Sequence, residues 1–441
     1  MGQALNIQDK VRAAGVIGAG GAGFPTHVKF GAKADIFLVN GAECEPLLKV
    51  DQQLAVKYAE LLIRGLELGM LATGAGEGII ALKAKYASAI EALTPRLKSG
   101  MRIHILKDVY PAGDEVVTIW MATGRRVPPA RLPLDVGVVV NNVQTLINVA
   151  RAVDEDQPVV LRTLTVTGAV AHPVTVTVPV GVSYKELVEL AGGVTVQDAG
   201  FIDGGPMMGK YISDLSQPIT KTTGGIIALP SAHLLIRRLR QPIQAQTRIA
   251  RTVCEQCCLC TELCPRHIIG HELPPHLIVR AINYNKVGNP SVLLSALTCS
   301  ECGLCEAWSC PVGISPKKLN IALKAQFRNT GAKYTAPIRK ADPMAEHRLV
   351  PVSRLIPRLN ISEYNRKAPL DEAEYKPKRV TLKLRQHIGA PSIPLVKAGD
   401  TVRLGQLVAD IPEGALGARV HASISGKVES IDANAVHLSA E

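Results

Sequence analysis

Through its first 150 residues the chain alternates short apolar runs with amphipathic segments. Apolar runs at Asp35–Val39, Gly78–Leu82, Arg102–Leu106 and Gly137–Val140 predict strands. Helical spacing predicts helices over about Asp51–Met70, Tyr86–Leu97, Asp114–Met121 and Val143–Val153. That order is expected of an α/β domain with a mostly parallel sheet. The pattern then changes. Val160–Thr167 and Thr175–Val178 read as strands, Tyr184–Ala191 as a helix, and Ala199–Gly205 closes a small unit. Further on, Leu277–Tyr284 predicts a short helix before a turn at Val287–Pro290. Residues 380–441 are strand-rich, with turns at Lys397–Asp400 and Ser425–Lys427.

A length of 441 residues implies two to four domains. Hydrophobic residues make up 47% and aromatics only 4%, so the cores must rely on Ala, Val, Leu and Ile. No apolar run has the length needed to span a bilayer. The first residues carry charges where a signal peptide needs an apolar core, so a cytoplasmic location is expected. A helix there, with Leu5, Ile7 and Val11, reads either as a docking segment or as a first surface helix. The formal charge of +12 is uneven: Lys317–Arg385 holds 17 Lys and Arg against 6 Asp and Glu. No nucleic-acid motif accompanies this stretch, and Pro337, Pro343, Pro351, Pro357 and Pro369 break it. It reads as a solvated linker or a dock for an acidic redox partner or scaffold, and nucleic acid is not expected.

Ten cysteines without an export signal point to metal rather than disulfides. Cys254, Cys257, Cys260 and Cys264 form C-x2-C-x2-C-x3-C-P. Cys299, Cys302, Cys305 and Cys310 form C-x2-C-x2-C-x4-C-P, one residue longer before the last thiol. Three thiolates at this spacing wrap one 4Fe–4S cluster, and the Cys-Pro thiol reaches the other. One cluster would take Cys254, Cys257, Cys260 and Cys310, and the other Cys299, Cys302, Cys305 and Cys264. Paired zinc sites, which favour two C-x2-C pairs each, are the rival reading. Cys258 either packs beside a cluster or substitutes for a neighbour.

Residues 15–26 read GVIGAGGAGFPT, and Gly18, Gly20, Gly21 and Gly23 allow close approach of a phosphate or a flat ring. The loop fails the dinucleotide fingerprint, because no clear strand precedes it and Pro25 follows. GAGGAGFPT with Lys29 is followed by NGAECEP (Asn40–Pro46), YPAGDE (Tyr110–Glu115) and NNVQT (Asn141–Thr145). This series resembles the flavin-binding fold of the NADH-oxidising subunit of respiratory complex I. It is more similar to the RnfC family of the Rnf electron-transport complex, and closer still to the cobalamin-reductase family of propanediol-utilisation microcompartments.

The resemblance implies FMN lined by Gly18, Gly20, Gly21 and Gly23, with Lys29 near phosphate or ribityl oxygens. Asn40, Glu43, Asn141 and Asn142 would hydrogen-bond the cofactor or the nicotinamide donor. Two positions depart from complex I, which has an acid at Ala42 and an Arg at Ala19. The glycines could instead simply make a turn, Asn141 or Asn142 could cap the next helix, and Cys44 reads as a buried small side chain. The unit at 159–204 resembles the soluble-ligand-binding β-grasp domain, which would be either a corrinoid contact or a spacer. No D-x-H-x-x-G corrinoid motif occurs. Residues 380–441 resemble a biotinyl/lipoyl-type barrel-sandwich hybrid, and Lys427 lacks the setting of a lipoylated lysine. In RnfC proteins that module precedes the flavin domain, whereas here it follows.

The expected layout is therefore an FMN/NADH-binding α/β domain (1–155), a β-grasp domain (156–230), a two-cluster ferredoxin-like helical module (231–335), a basic linker (336–379) and a barrel-sandwich hybrid (380–441). The expected activity passes electrons from NADH through FMN and two 4Fe–4S clusters to the cobalt of a corrinoid, inside a bacterial microcompartment. An adenosyltransferase and shell proteins are the expected partners, with no catalytic acid or base. The alternatives are an Rnf-type peripheral subunit and a flavin-free electron wire or scaffold.

Overall fold

A computed structural model describes residues 2–284 and 288–440. Its first sheet is wholly parallel, in the order Met101–Leu106, Glu77–Lys83, Ile36–Gly41, Val138–Asn142. The two inner strands are buried along nearly their whole length, as a sheet with helices on both faces requires. Phe37, Val39, Ile80 and Leu82 face a core with Leu62, Leu66 and Leu146, while Leu38, Ile79 and Ala81 face Val116 and Ile119. Ile7 and Val11 of the first helix, Gly2–Ala13, are buried in the former core, so that helix is part of the domain.

The helix expected over 51–70 is two helices, Val50–Lys57 and Ala59–Thr73. The chain bends at Tyr58 (φ −116°), whose ring lies 4.7 Å from the Arg151 guanidinium. Gly65 is required by packing: a Cβ there would stand 2.2 Å from the Leu146 carbonyl oxygen.

The second sheet runs Val174–Pro179, Leu161–Gly168, Gly225–Pro230, Ala199–Asp203, Lys210–Ile212, with helix Tyr184–Leu190 packed on it. Its central pair, Leu161–Gly168 and Gly225–Pro230, is parallel. The unit thus extends past residue 204, because the strand at 225–230 returns to its middle. Two small antiparallel sheets form the C-terminal module, and its Val380, Leu382 and Val436 share one core with Leu164 and Val178.

Residues 336–379 are not a solvated linker. Val350–Pro351 pairs with Val109–Tyr110, helix Val352–Arg358 follows, and Leu355, Leu359 and Ile361 are buried. Those apolar side chains enter a core shared by Leu47, Ile202, Cys302 and Leu304, where the modules meet. Within the segment Arg339 pairs with Glu272 and Arg348 with Asp342, and just before it Lys317 pairs with Glu306 and Lys324 with Glu301. Of the turn expected at Val287–Pro290, Val287 lies outside the described residues. Asn289 caps the helix Pro290–Leu294 that follows. Among the described residues no helix is long and apolar enough to cross a membrane.

Candidate functional site: a glycine loop beside two thiol cages

Strand order reverses between Ile36–Gly41 and Val138–Asn142, and ligands of open parallel sheets lie at the carboxyl ends of strands at such a point. Asn40 and Asn142 are paired neighbours there, as are Val39 and Asn141. The glycine loop closes over this edge, with Gly18 N–H donating to Phe24 O at 2.9 Å and Ala19 N–H to Thr145 Oγ1 at 2.9 Å. Gly21 (φ 105°) is at the open tip, with no atom within 4 Å of the place a Cβ would take. A Cβ on Gly20 would lie 3.3 Å from Asn142 Nδ2, and Gly18 faces only the Phe24 backbone. Gly23 turns the other way, against Thr222 and Gln386 O.

The polar residues fall into two groups. Lys29 Nζ donates to Val140 O at 2.7 Å and pairs with Glu115 at 3.2 Å. Asn40 ties two motifs together by donating to Gly113 O and accepting from Ala42 N–H. Glu43 accepts from Asp51 N–H and Gln52 N–H and so caps the helix Val50–Lys57. Asn142 caps Val143–Asp154 and donates to Asp51 Oδ2 at 2.6 Å. Asn141 alone is buried with its Nδ2 unpartnered. Burial, reinforced by Glu43, pushes Asp51 up to about 7, and burial also raises Glu43. Asp51 and Arg162 escaped the sequence reading. Arg162 reaches from the second sheet to donate to Ala19 O at 3.0 Å, a contact no local pattern records. The open Gly20–Gly21 tip, the orphaned Asn141 amide and the Lys29 cation fit a flavin phosphate chain and ring.

The thiols form two cages. Cys254, Cys257, Cys260 and Cys310 line one cavity together with Cys258; Cys264, Cys299, Cys302 and Cys305 line the other. Matching left-handed residues bend the loops, Gln256 and Cys258 in the first, Glu301 and Gly303 in the second. The extra residue before Cys310 is absorbed in a π-type turn, Cys305–Ser309, the usual way a helix accommodates one inserted residue. Among the described residues, no three His, Cys, Asp or Glu side chains converge on a point suited to a single ion. Cys258 Sγ instead donates to Gln256 O at 3.2 Å.

Both cages fit polynuclear clusters. Backbone amides of Glu301 and Ile314 donate to Cys299 Sγ and Cys310 Sγ at 3.3 Å. Asn320 lines the second cavity with both amide atoms buried and unpartnered. Burial pushes Cys260 and Cys264 up to about 12 and Cys302 and Cys305 higher, so thiolates there need a bound cation. Cys264 and Cys302 are buried, whereas Cys257 of the first cage is exposed.

The second cage abuts the flavin-side motifs. Tyr110 Oη is shared between Cys302 O at 2.7 Å and Glu45 Oε1 at 3.1 Å. Glu45 also accepts from Met207 N–H at 2.9 Å. Asp114, the cap of helix Glu115–Thr123, pairs at 2.9 Å with Arg266, whose side chain is largely shielded, two residues past Cys264.

An α/β flavin fold locked onto a pair of cysteine cages defines the class: a flavin and iron–sulfur oxidoreductase. Residues 11–151 match the Nuo51 FMN-binding domain, 163–211 the SLBB domain, 253–315 the 4Fe-4S dicluster domain and 360–441 the RnfC barrel sandwich hybrid domain. The chain belongs to the cobalamin reductase PduS family. It is 60% identical to the cobalamin reductase PduS of Citrobacter freundii, over 97% of this chain and 95% of that one. The Salmonella typhimurium protein of the same name is also 60% identical, over 98% and 95%. One subunit of the Na(+)-translocating ferredoxin:NAD(+) oxidoreductase complex of Acetobacterium woodii is 36% identical, over 59% of this chain and 58% of its own.

Proposed function

We propose that the protein is a cobalamin reductase that passes electrons from NADH, by way of FMN and two 4Fe–4S clusters, to corrinoid cobalt. The flavin supplies conversion of a hydride into single electrons, and the clusters supply one-electron relay. The observation that carries the reading is the Tyr110 bridge, which ties the Asn40–Pro46 and Tyr110–Glu115 motifs to the loop of the second cage. Gly18, Gly20 and Gly21 would admit the flavin, Lys29 and Asn141 would hydrogen-bond it, and Asn40, Glu43 and Asn142 would hold the surrounding loops. Gly23 would fix the loop against the C-terminal module. The cage of Cys264, Cys299, Cys302 and Cys305, with two buried thiols, is the inner station, and that of Cys254, Cys257, Cys260 and Cys310, with its exposed thiol, the outer. No side chain need move a proton to substrate.

An adenosyltransferase drawing on the reduced corrinoid, and the shell of a microcompartment, are the partners this reading implies. The test is anaerobic reconstitution with iron, sulfide and FMN, followed by NADH and cob(III)alamin. Flavin and cluster bleaching with cobalt reduction is expected. In Cys302→Ala the flavin should still bleach, while inner-cluster bleaching and cobalt reduction are lost. Absence of bleaching by NADH would overturn the donor assignment. Bleaching without cobalt reduction would overturn the acceptor.

A further inference from the structure

Beside the outer cage lies an open cavity of about 520 Å³, lined by Leu234, Arg237, Arg238, Arg240, Gln241 and Gly313. Its volume is that of a small-molecule site. Three of its six lining residues carry guanidinium groups, and among the described residues none of the three has a carboxylate in ion-pair contact. Glu306, the acid whose field Arg238 feels, is already held by Ser315 and by Lys317 at 3.5 Å. Arg358 adds further positive field at Arg238. Lys318 donates its ammonium to the carbonyls of Arg238, Leu239 and Gln241, which cancels the negative end of helix Leu234–Arg240. Arg240 is partly steadied by the Tyr211 ring, 5.6 Å away.

Three guanidinium groups gathered on one open surface without paired acids create a positive local potential that attracts anions. The planar forks of arginine suit phosphate in particular. The cavity shares a wall with the outer cage: Gly313 lines it, while Cys310, Pro311, Val312 and Ile314 line the cage.

We propose that this arginine cavity binds the phosphodiester of the corrinoid acceptor and so holds the acceptor against the outer cage. The proposal rests on the cobalamin-reductase reading and adds the acceptor's anchoring point. It names a phosphate on a small molecule as occupant. An acidic protein docking on the same arginines is an outcome of the test.

The test compares hydroxocobalamin with cobinamide, which lacks the phosphodiester, in the reconstituted chain and in Arg237→Gln/Arg240→Gln. Both substituted side chains are exposed, and iron content checks that the variant is intact. At low salt the wild type should show a KM about tenfold lower for hydroxocobalamin, and the variant should bring the two values together. A second readout needs no turnover: 31P line broadening of inorganic pyrophosphate by the holoprotein should be present in the wild type and lost in the variant. The same KM ratio in both proteins, or undiminished pyrophosphate binding in the variant, would overturn the proposal. So would loss of transfer only to an acidic electron-carrier protein. Arginine-dependent pyrophosphate binding without reduction of either corrinoid would support the anion site and overturn the corrinoid as acceptor instead.

Discussion

The hydroxyl of Tyr110 lies 2.7 Å from the carbonyl oxygen of Cys302, joining the sheet domain to a cage loop far along the chain. Tyr110 is buried, and its other neighbour, Glu45, is held by the amides of Met207 and Met208. Tyr110→Phe keeps the ring in the shared core and removes only the hydroxyl. It should lower stability by about 1–2 kcal/mol, the usual cost of leaving buried partners unpaired. It should also slow reduction of the inner cluster by NADH, followed by rapid-freeze EPR. An unchanged urea midpoint and an unchanged rate would mean that the bridge is incidental.

Asp114 and Arg266 form the second tie, with side chains only 5% and 14% exposed. Burial opposes the Asp114 charge, but Arg266 outweighs it and holds the carboxyl below its ordinary value. Asp114→Ala strands a buried guanidinium and should cost about 3–5 kcal/mol in urea unfolding. The Asp114→Leu/Arg266→Met double variant should recover most of that loss. Arg266 also feels Cys264 and Cys299, so in Arg266→Met alone, which removes only the positive charge, the inner cluster should titrate at a lower potential by EPR.

The cages give a pairing test. Cys310→Ser should abolish the same EPR signal as Cys257→Ser, and Cys264→Ser the same signal as Cys302→Ser, each leaving roughly half the iron. Signals that segregated by sequence run would refute the crossed pairing. Cys258 has a left-handed backbone (φ 64°) at the position Gly303 takes in the second loop. Cys258→Gly should keep all the iron and raise stability by about 1 kcal/mol, because a Cβ is unfavourable there. Loss of iron would make Cys258 a ligand.

Asp51 sets a pH dependence. Its folded value of about 7 lies above its ordinary 3.8, so the protonated form favours folding. That contribution is full below the ordinary value and is lost as pH rises through about 7. Asp51→Asn should therefore match the wild type near pH 4 and exceed it at pH 8, by about 1–3 kcal/mol in urea titrations. Glu43, also raised by burial, will leave some residual slope. A variant less stable than wild type at pH 8 would show that the hydrogen bond from Asn142 matters more than the buried charge.

What the sequence by itself determined is what short range controls. Strands at 36–41 and 77–83 are legible because an apolar run has few other ways to be buried. Each cage's first three thiols are legible because an x2 spacing and a left-handed turn act within ten residues. The tertiary structure alone decided the rest. It set Asn142 and Glu43 to capping helices and left Asn141 with a free amide. It made a buried strap of a segment that charge counting marked as a linker, since burial of Leu355 and Ile361 depends on partners far away in sequence. Which cations are neutralised is decided in the same way. Lys324 of the basic stretch meets Glu301 across the fold, while Arg237, Arg238 and Arg240 line an open cavity without a paired acid among the described residues. Ion pairing depends on distance through space, and a count along the chain carries no record of it.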